Sequence, residues 1–70
     1  MHRLTARERD VVQRLIAGRT NKEIARDLAI SPHTVRDHVS AMLDRFGVDN
    51  RAALAAAAVA VVVSGAAGAG

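Results

Sequence analysis

The sequence predicts an all-α fold of four short helices, and three observations carry that prediction. Apolar residues recur at helical spacing along the chain, and no stretch shows the period-two alternation of a half-buried strand. Thr5, Thr20, Ser31 and the pair Asp49 and Asn50 stand just ahead of the apolar stretches, where their side chains cap helix N-termini. Gly18, Pro32, Gly47 and Gly65 punctuate the chain between them. Seventy residues make one small domain whose core is near the lower limit for independent stability. One Phe, with no Trp and no Tyr, leaves that core to Leu, Ile, Val and Ala.

The first helix is expected from about Thr5 to Ala17. Thr5 and Glu8 have the capping-box spacing, in which each side chain bonds the other's backbone N–H. Val11, Val12, Leu15 and Ile16 share one face, Arg7, Arg9, Asp10 and Arg14 cover the rest, and Gly18 ends the helix in a left-handed turn. The second runs from about Asn21 to Leu28. Thr20 and Glu23 repeat the box, and Ile24, Ala25 and Leu28 form a narrow apolar stripe. The third runs from Pro32 to Phe46. Pro32 fits only the first turn, and Ser31 is its N-cap. Val35, Val39, Met42 and Phe46 line one face, with Leu43 beside them. Gly47 closes this helix, and Val48 folds back on Leu43 as in a Schellman motif. The fourth runs from about Arg51 to Val63, capped by Asp49 or Asn50, and is apolar on every side. Gly65 is expected to stop it. Residues 1–64 then form the domain, and 65–70 a disordered Gly/Ala tail.

Composition narrows the classes of function. The absence of Cys excludes disulfides and thiolate metal sites. Ten Lys and Arg against seven Asp and Glu give a formal charge of +3, which favours an anionic partner. The charged start of the chain has no apolar run of the signal-peptide kind. The apolar run 52–63 is short of the roughly 20 residues that span a bilayer. Ser31, His33, His38 and Asp37 are nucleophile and base types, but as neighbours on a helix they diverge and form no relay, so an enzyme is not expected.

The second and third helices, joined by Ala29, Ile30 and Ser31, match the helix-turn-helix plan. In that plan the second helix lies in the DNA major groove and the first crosses above it. With the core stripe inward, His33, Asp37, Ser40, Ala41 and Asp44 face outward, with Arg36 on one flank and Thr34, His38 and Arg45 on the other. Arg36 has the fork to bond guanine O6 and N7, Asp37 accepts from cytosine N4, and Ser40 pairs with several bases. Asp44 suits a neighbouring arginine better than a phosphate. At the start of the second helix, Thr20, Asn21 and Lys22 surround backbone N–H groups that favour a phosphate. Arg3, Arg7, Arg45 and Arg51 are further phosphate candidates. The bare fourth helix is read as a seam between two copies in preference to intramolecular core, through Leu54, Ala55, Ala58, Val59 and Val62.

The run LTARERDVVQRLIAGRTNKEIARDLAISPHTVRDHVSAMLDRFGVDNRAAL resembles the LuxR-type helix-turn-helix domain, which also closes many response regulators. The resemblance rests on LTxRE at Leu4–Glu8, GxTNKEIA at Gly18–Ala25, IS at Ile30–Ser31, TVRxH at Thr34–His38 and GVxNR at Gly47–Arg51. It implies a four-helix bundle, transcriptional regulation and dimerisation through the last helix, while a cytoplasmic location is expected from the absence of Cys, which fits a reducing compartment. It also implies that Thr20, Asn21 and Lys22 hold phosphates and that Thr34, Arg36, Asp37 and Ser40 face the groove. His38 then sits at the groove margin or against the backbone, and Arg45 and Arg51 near phosphates. Asp37 and Asp44 make the groove face less basic than is usual for the family.

The expected partners are double-stranded DNA and a second copy of the chain, with RNA polymerase a further candidate. No membrane, cofactor or metal is expected. Half-sites would lie roughly 10 bp apart, and four phosphates per protomer would give a salt slope near −7 for a dimer. Two alternatives stand beside this reading. One is the promoter-reading fourth region of a sigma factor, which also opens LTxRE, although NKEIA, VRDHV and GVDNR favour the regulator. The other is a protein-interaction module using the two carboxylates and the apolar fourth helix.

Overall fold

The computed structural model describes the backbone of residues 4–68 and the side chains of residues 4–63. Four helices follow in order: α1 (Ala6–Ile16), α2 (Asn21–Leu28), α3 (Pro32–Phe46) and α4 (Arg51–Gly68). No strand occurs among the described residues.

The helix starts follow the expected cap chemistry. Thr5 Oγ1 accepts from the Glu8 N–H at 3.1 Å, and Glu8 Oε1 accepts from the Thr5 N–H at 3.0 Å. Thr20 and Glu23 repeat the box at 3.1 and 2.9 Å. Ser31 Oγ accepts from the Thr34 N–H at 3.0 Å, with Pro32 in the first turn of α3. Of the two cap candidates for α4, Asn50 takes the role, its Oδ1 accepting from the Ala53 N–H at 2.8 Å.

The ends of α1, α2 and α3 close in the same way. The Arg19 N–H donates to Arg14 O, the Ile30 N–H to Ala25 O and the Val48 N–H to Leu43 O, each at 3.0 Å. These are Schellman bonds, and the residue before each donor must turn left-handed. Gly18 (φ 84°) and Gly47 (φ 67°) do so freely, whereas at Ala29 (φ 56°) a β-carbon is forced into the same conformation.

α4 departs from expectation at its far end. It continues past Gly65 to Gly68. A glycine costs a helix only about 1 kcal/mol relative to alanine, and the alanines around it are the best helix formers, so Gly65 alone does not end it. Of the expected tail, residues 65–68 continue α4, and 69 and 70 lie outside the described residues.

The core is a single aliphatic cluster. Val11, Val12 and Leu15 of α1 meet Ile24 and Ala25 of α2, Val35, Val39 and Met42 of α3, and Leu54 and Ala58 of α4. Ile24, Met42 and Leu54 are fully buried, each contributing on the order of 1.5–3 kcal/mol. Ile16 was expected on the buried face but stays 38% exposed, because Leu15 takes the inward position of that last turn.

α1 packs against the other three helices, α3 packs against α2 and α4, and α2 and α4 do not pack on each other. This arrangement corrects the reading of α4. Leu54 and Ala58, expected at a seam between copies, are fully buried within the chain, because α4 lays that face on α1 and α3. Val62 also packs against the core and Ala55 is half-buried. The face left in solvent carries Ala52, Ala56, Val59, Ala60 and Val63.

Candidate nucleic-acid interface

Two elements can meet a duplex, the outer face of α3 and the start of α2. On α3, the inward anchors Val35, Val39 and Met42 fix the helix rotation. Arg36, Asp37, Ser40 and Asp44 are consequently all exposed. Arg36 and Ser40 are one turn apart and Asp37 stands between them, so three of the four expected base-reading residues share one surface. The fourth, Thr34, is half-buried with its hydroxyl 2.9 Å from Ser31 Oγ, turned back onto the N-cap. His38 is half-buried on the same flank.

Asp37 has one neighbour of interest. His33 Nε2 lies 3.5 Å from Asp37 Oδ2, one turn earlier. The side chains are 73% and 68% exposed, so water screens the pair and it adds little to stability. Asp44, expected to pair with an arginine, makes no ion pair among the described residues.

The start of α2 has a defined set of donors. Thr20 Oγ1 and the Glu23 carboxylate each take one backbone N–H within the box. The N–H groups of Asn21 and Lys22 find no acceptor among the described residues, which leaves them for an outside one. The Thr20 hydroxyl accepts and still has its own proton to donate. Lys22 is exposed. The Thr20 N–H holds the Glu23 carboxyl below its ordinary range, so Glu23 keeps a negative charge at the same helix end. An anion there relies on the amides and Lys22 to outweigh it.

Two arginines expected at phosphates are engaged within the fold. Arg45 reaches α1, where its Nη1 and Nη2 donate to Glu8 Oε1 and Oε2 at 2.8 and 2.6 Å. Glu8 is 6% exposed and is the one buried charged residue of the described chain. The Arg45 guanidinium, ahead of opposing desolvation, holds the Glu8 carboxyl below its ordinary value, and Glu8 in turn raises Arg45. Arg51, at the start of α4, donates from Nη1 to Asn21 Oδ1 at 2.7 Å and from Nη2 to the Arg19 carbonyl at 2.6 Å. Arg19 itself holds both oxygens of Asp27 at 3.1 and 2.9 Å, with Arg14 Nε 3.5 Å from the same carboxylate. No local signal announces these pairs, since Glu8 and Arg45 stand 37 residues apart. Arg7 is exposed, and Arg3 lies outside the described residues.

The sequence matches the model of the bacterial regulatory proteins of the luxR family over residues 2–58. Among curated relatives, it is 48% identical over 48 residues to the spore germination protein GerE of Bacillus subtilis, covering 69% of this chain and 65% of GerE. It is 41% identical over 56 residues to the probable transcriptional regulatory protein NarL of Mycobacterium tuberculosis, covering 80% of this chain and 26% of NarL. It is 46% identical over 52 residues to the transcriptional regulatory protein UhpA of Salmonella typhimurium, covering 74% of this chain and 26% of UhpA. The chain therefore spans just under two thirds of GerE and about a quarter of the other two. Four helices with an exposed polar face on α3, matched over most of the chain, place it: it belongs to the luxR family of bacterial regulatory proteins, DNA-binding regulators of transcription and not enzymes.

Proposed function

We infer that this domain binds duplex DNA sequence-specifically, with α3 in the major groove and the start of α2 on the phosphate backbone. The observation that carries this is the rotation of α3. Its apolar anchors are locked into the core, and Arg36, Asp37 and Ser40 stand together on the opposite, exposed face. Arg36 is the guanine reader and Asp37 the acceptor for cytosine N4, while Ser40 is the adaptable third contact. Thr20, Asn21 and Lys22 fix the register without reading sequence. Arg45 serves the fold through Glu8, and Thr34 serves the cap of α3.

The solvent-facing stripe of α4, centred on Val59 and Val63, is where a second copy docks. Two half-sites then lie roughly 10 bp apart. The work is done in the cytoplasm, where the DNA is, and any contact with RNA polymerase uses faces turned away from the duplex. Among the described residues, no single helix is long and apolar enough to cross a membrane.

Selection of bound duplexes from a random pool tests the reading. Two related half-sites at that spacing are expected, and Arg36→Ala should relax the preference at one base position, with about 1–3 kcal/mol of discrimination lost there. A single half-site would remove the dimer. No enriched sequence would move the protein-interaction reading to first place.

A further inference from the structure

We propose that Arg51 is a positioning residue for DNA binding, which turns the Asn21 side chain so that its amide NH2 faces a phosphate. This rests on the reading that the start of α2 grips the backbone, and it goes beyond that reading by assigning the grip to a residue of another helix.

The geometry is specific. α2 and α4 do not pack on each other, and the long Arg51 side chain crosses between them. Its two bonds end on the residue that opens α2 and on the carbonyl of Arg19, just before the Thr20 cap. A guanidinium has donors only. It therefore engages the oxygen of the Asn21 carboxamide, and the NH2 half is left directed the other way. Without Arg51 the carboxamide is free to rotate, and either its oxygen or its NH2 meets the phosphate. An oxygen there repels, whereas an NH2 donates. The bond to the Arg19 carbonyl anchors the same guanidinium to backbone, so its fork is held at both ends.

Asn21 is already oriented before DNA arrives, which lowers the ordering cost of the contact. The bridge also ties α4 to the grip. A change in how α4 is held passes to Asn21 through one side chain and needs no rearrangement of the core.

A double-mutant cycle on DNA affinity tests this. The probe is a mixed-sequence duplex of about 30 bp, because phosphate contacts do not depend on sequence. Arg51→Met keeps the apolar stem and a good helix former while removing every donor. Asn21→Ala should weaken binding roughly tenfold, the scale of one hydrogen bond to a charged group. Arg51→Met should weaken it several-fold in the native background, and distinctly less once Asn21 is Ala. The long-range effect of the lost charge is common to both backgrounds and cancels in the cycle. Equal losses in the two backgrounds overturn the proposal, and an unchanged melting temperature then makes Arg51 an independent phosphate contact. No loss from either Asn21→Ala or Lys22→Ala overturns the grip itself, a distinct failure. Circular dichroism at the assay temperature verifies folding, and Arg51→Leu, which also lacks any side-chain donor, carries the same cycle if the Met variant unfolds. A purely structural Arg51 would move the melting temperature and leave the cycle on affinity flat.

Discussion

Ala29 is the residue whose conformation runs against its chemistry. At φ 56° it closes α2 left-handed, where Gly18 and Gly47 do the same task for α1 and α3. The strain is about 1–2 kcal/mol for a residue with a β-carbon, and glycine gives part of any gain back in unfolded-state entropy. Ala29→Gly is therefore expected to stabilise the domain by about 1 kcal/mol, read as a higher urea midpoint at unchanged slope. The sequence placed a turn here and concealed its hand, because no glycine marks it. Glu8 makes a second residue-scale prediction. Its carboxyl titrates lower in the folded chain than its ordinary 4.5, chiefly because Arg45 bonds the charged form. A depressed carboxyl contributes stability that is complete above the unfolded value and is lost as pH falls through the folded one. Thermal melts should show stability falling as pH drops below 4.5. Glu8→Gln should flatten that fall while lowering stability near neutral pH, and a variant with the native acid dependence would remove Glu8 from it.

At the scale of elements, caps and periodicity made most of the fold legible. Both capping boxes, the Ser31–Pro32 start and the Schellman turn at Gly47 stand where local chemistry puts them. The rotation of α3 followed from Val35, Val39 and Met42, and with it the exposed trio of the candidate site. α4 was harder because its sequence is apolar on all sides and contains no stripe to orient it. Which face turns inward is decided by α1 and α3, and that information lies outside the helix. In the structure Leu54 and Ala58 lie in the core, and Val59 and Val63 face solvent, where the proposed seam is placed. Leu54→Ala should cost about 2–5 kcal/mol, a large share of the stability of so small a domain, at any protein concentration. Val59→Asp should leave the protomer folded and reduce self-association, measured by sedimentation. A Val59→Asp chain that still dimerises would shift the seam elsewhere.

For the molecule as a whole, the charge that composition displays and the charge a duplex meets are different quantities. Arg45 is neutralised by Glu8, and Arg14 and Arg19 share Asp27. Lys22, Arg36 and Arg51 stand at the candidate interface without an ion pair among the described residues. With Arg51 held on Asn21 and the Arg19 carbonyl, Lys22 and Arg36 remain, and two such cations per protomer give a slope of log affinity against log salt near −4 for a dimer, shallower than the −7 of four contacts. A measured slope near −7 would mean that two of Arg7, Arg45 and Arg51 also reach the backbone. These long-range pairs were the part least legible beforehand, because an arginine's partner is chosen by packing and not by spacing. The aliphatic core has one more consequence, and it is optical. With Phe46 the single aromatic residue, the protein is almost transparent in the near ultraviolet and has no indole or phenol emission. In a titration, absorbance in that region belongs to the DNA bases alone, so unstacking or kinking of the duplex on binding reads out directly, with no protein signal to subtract.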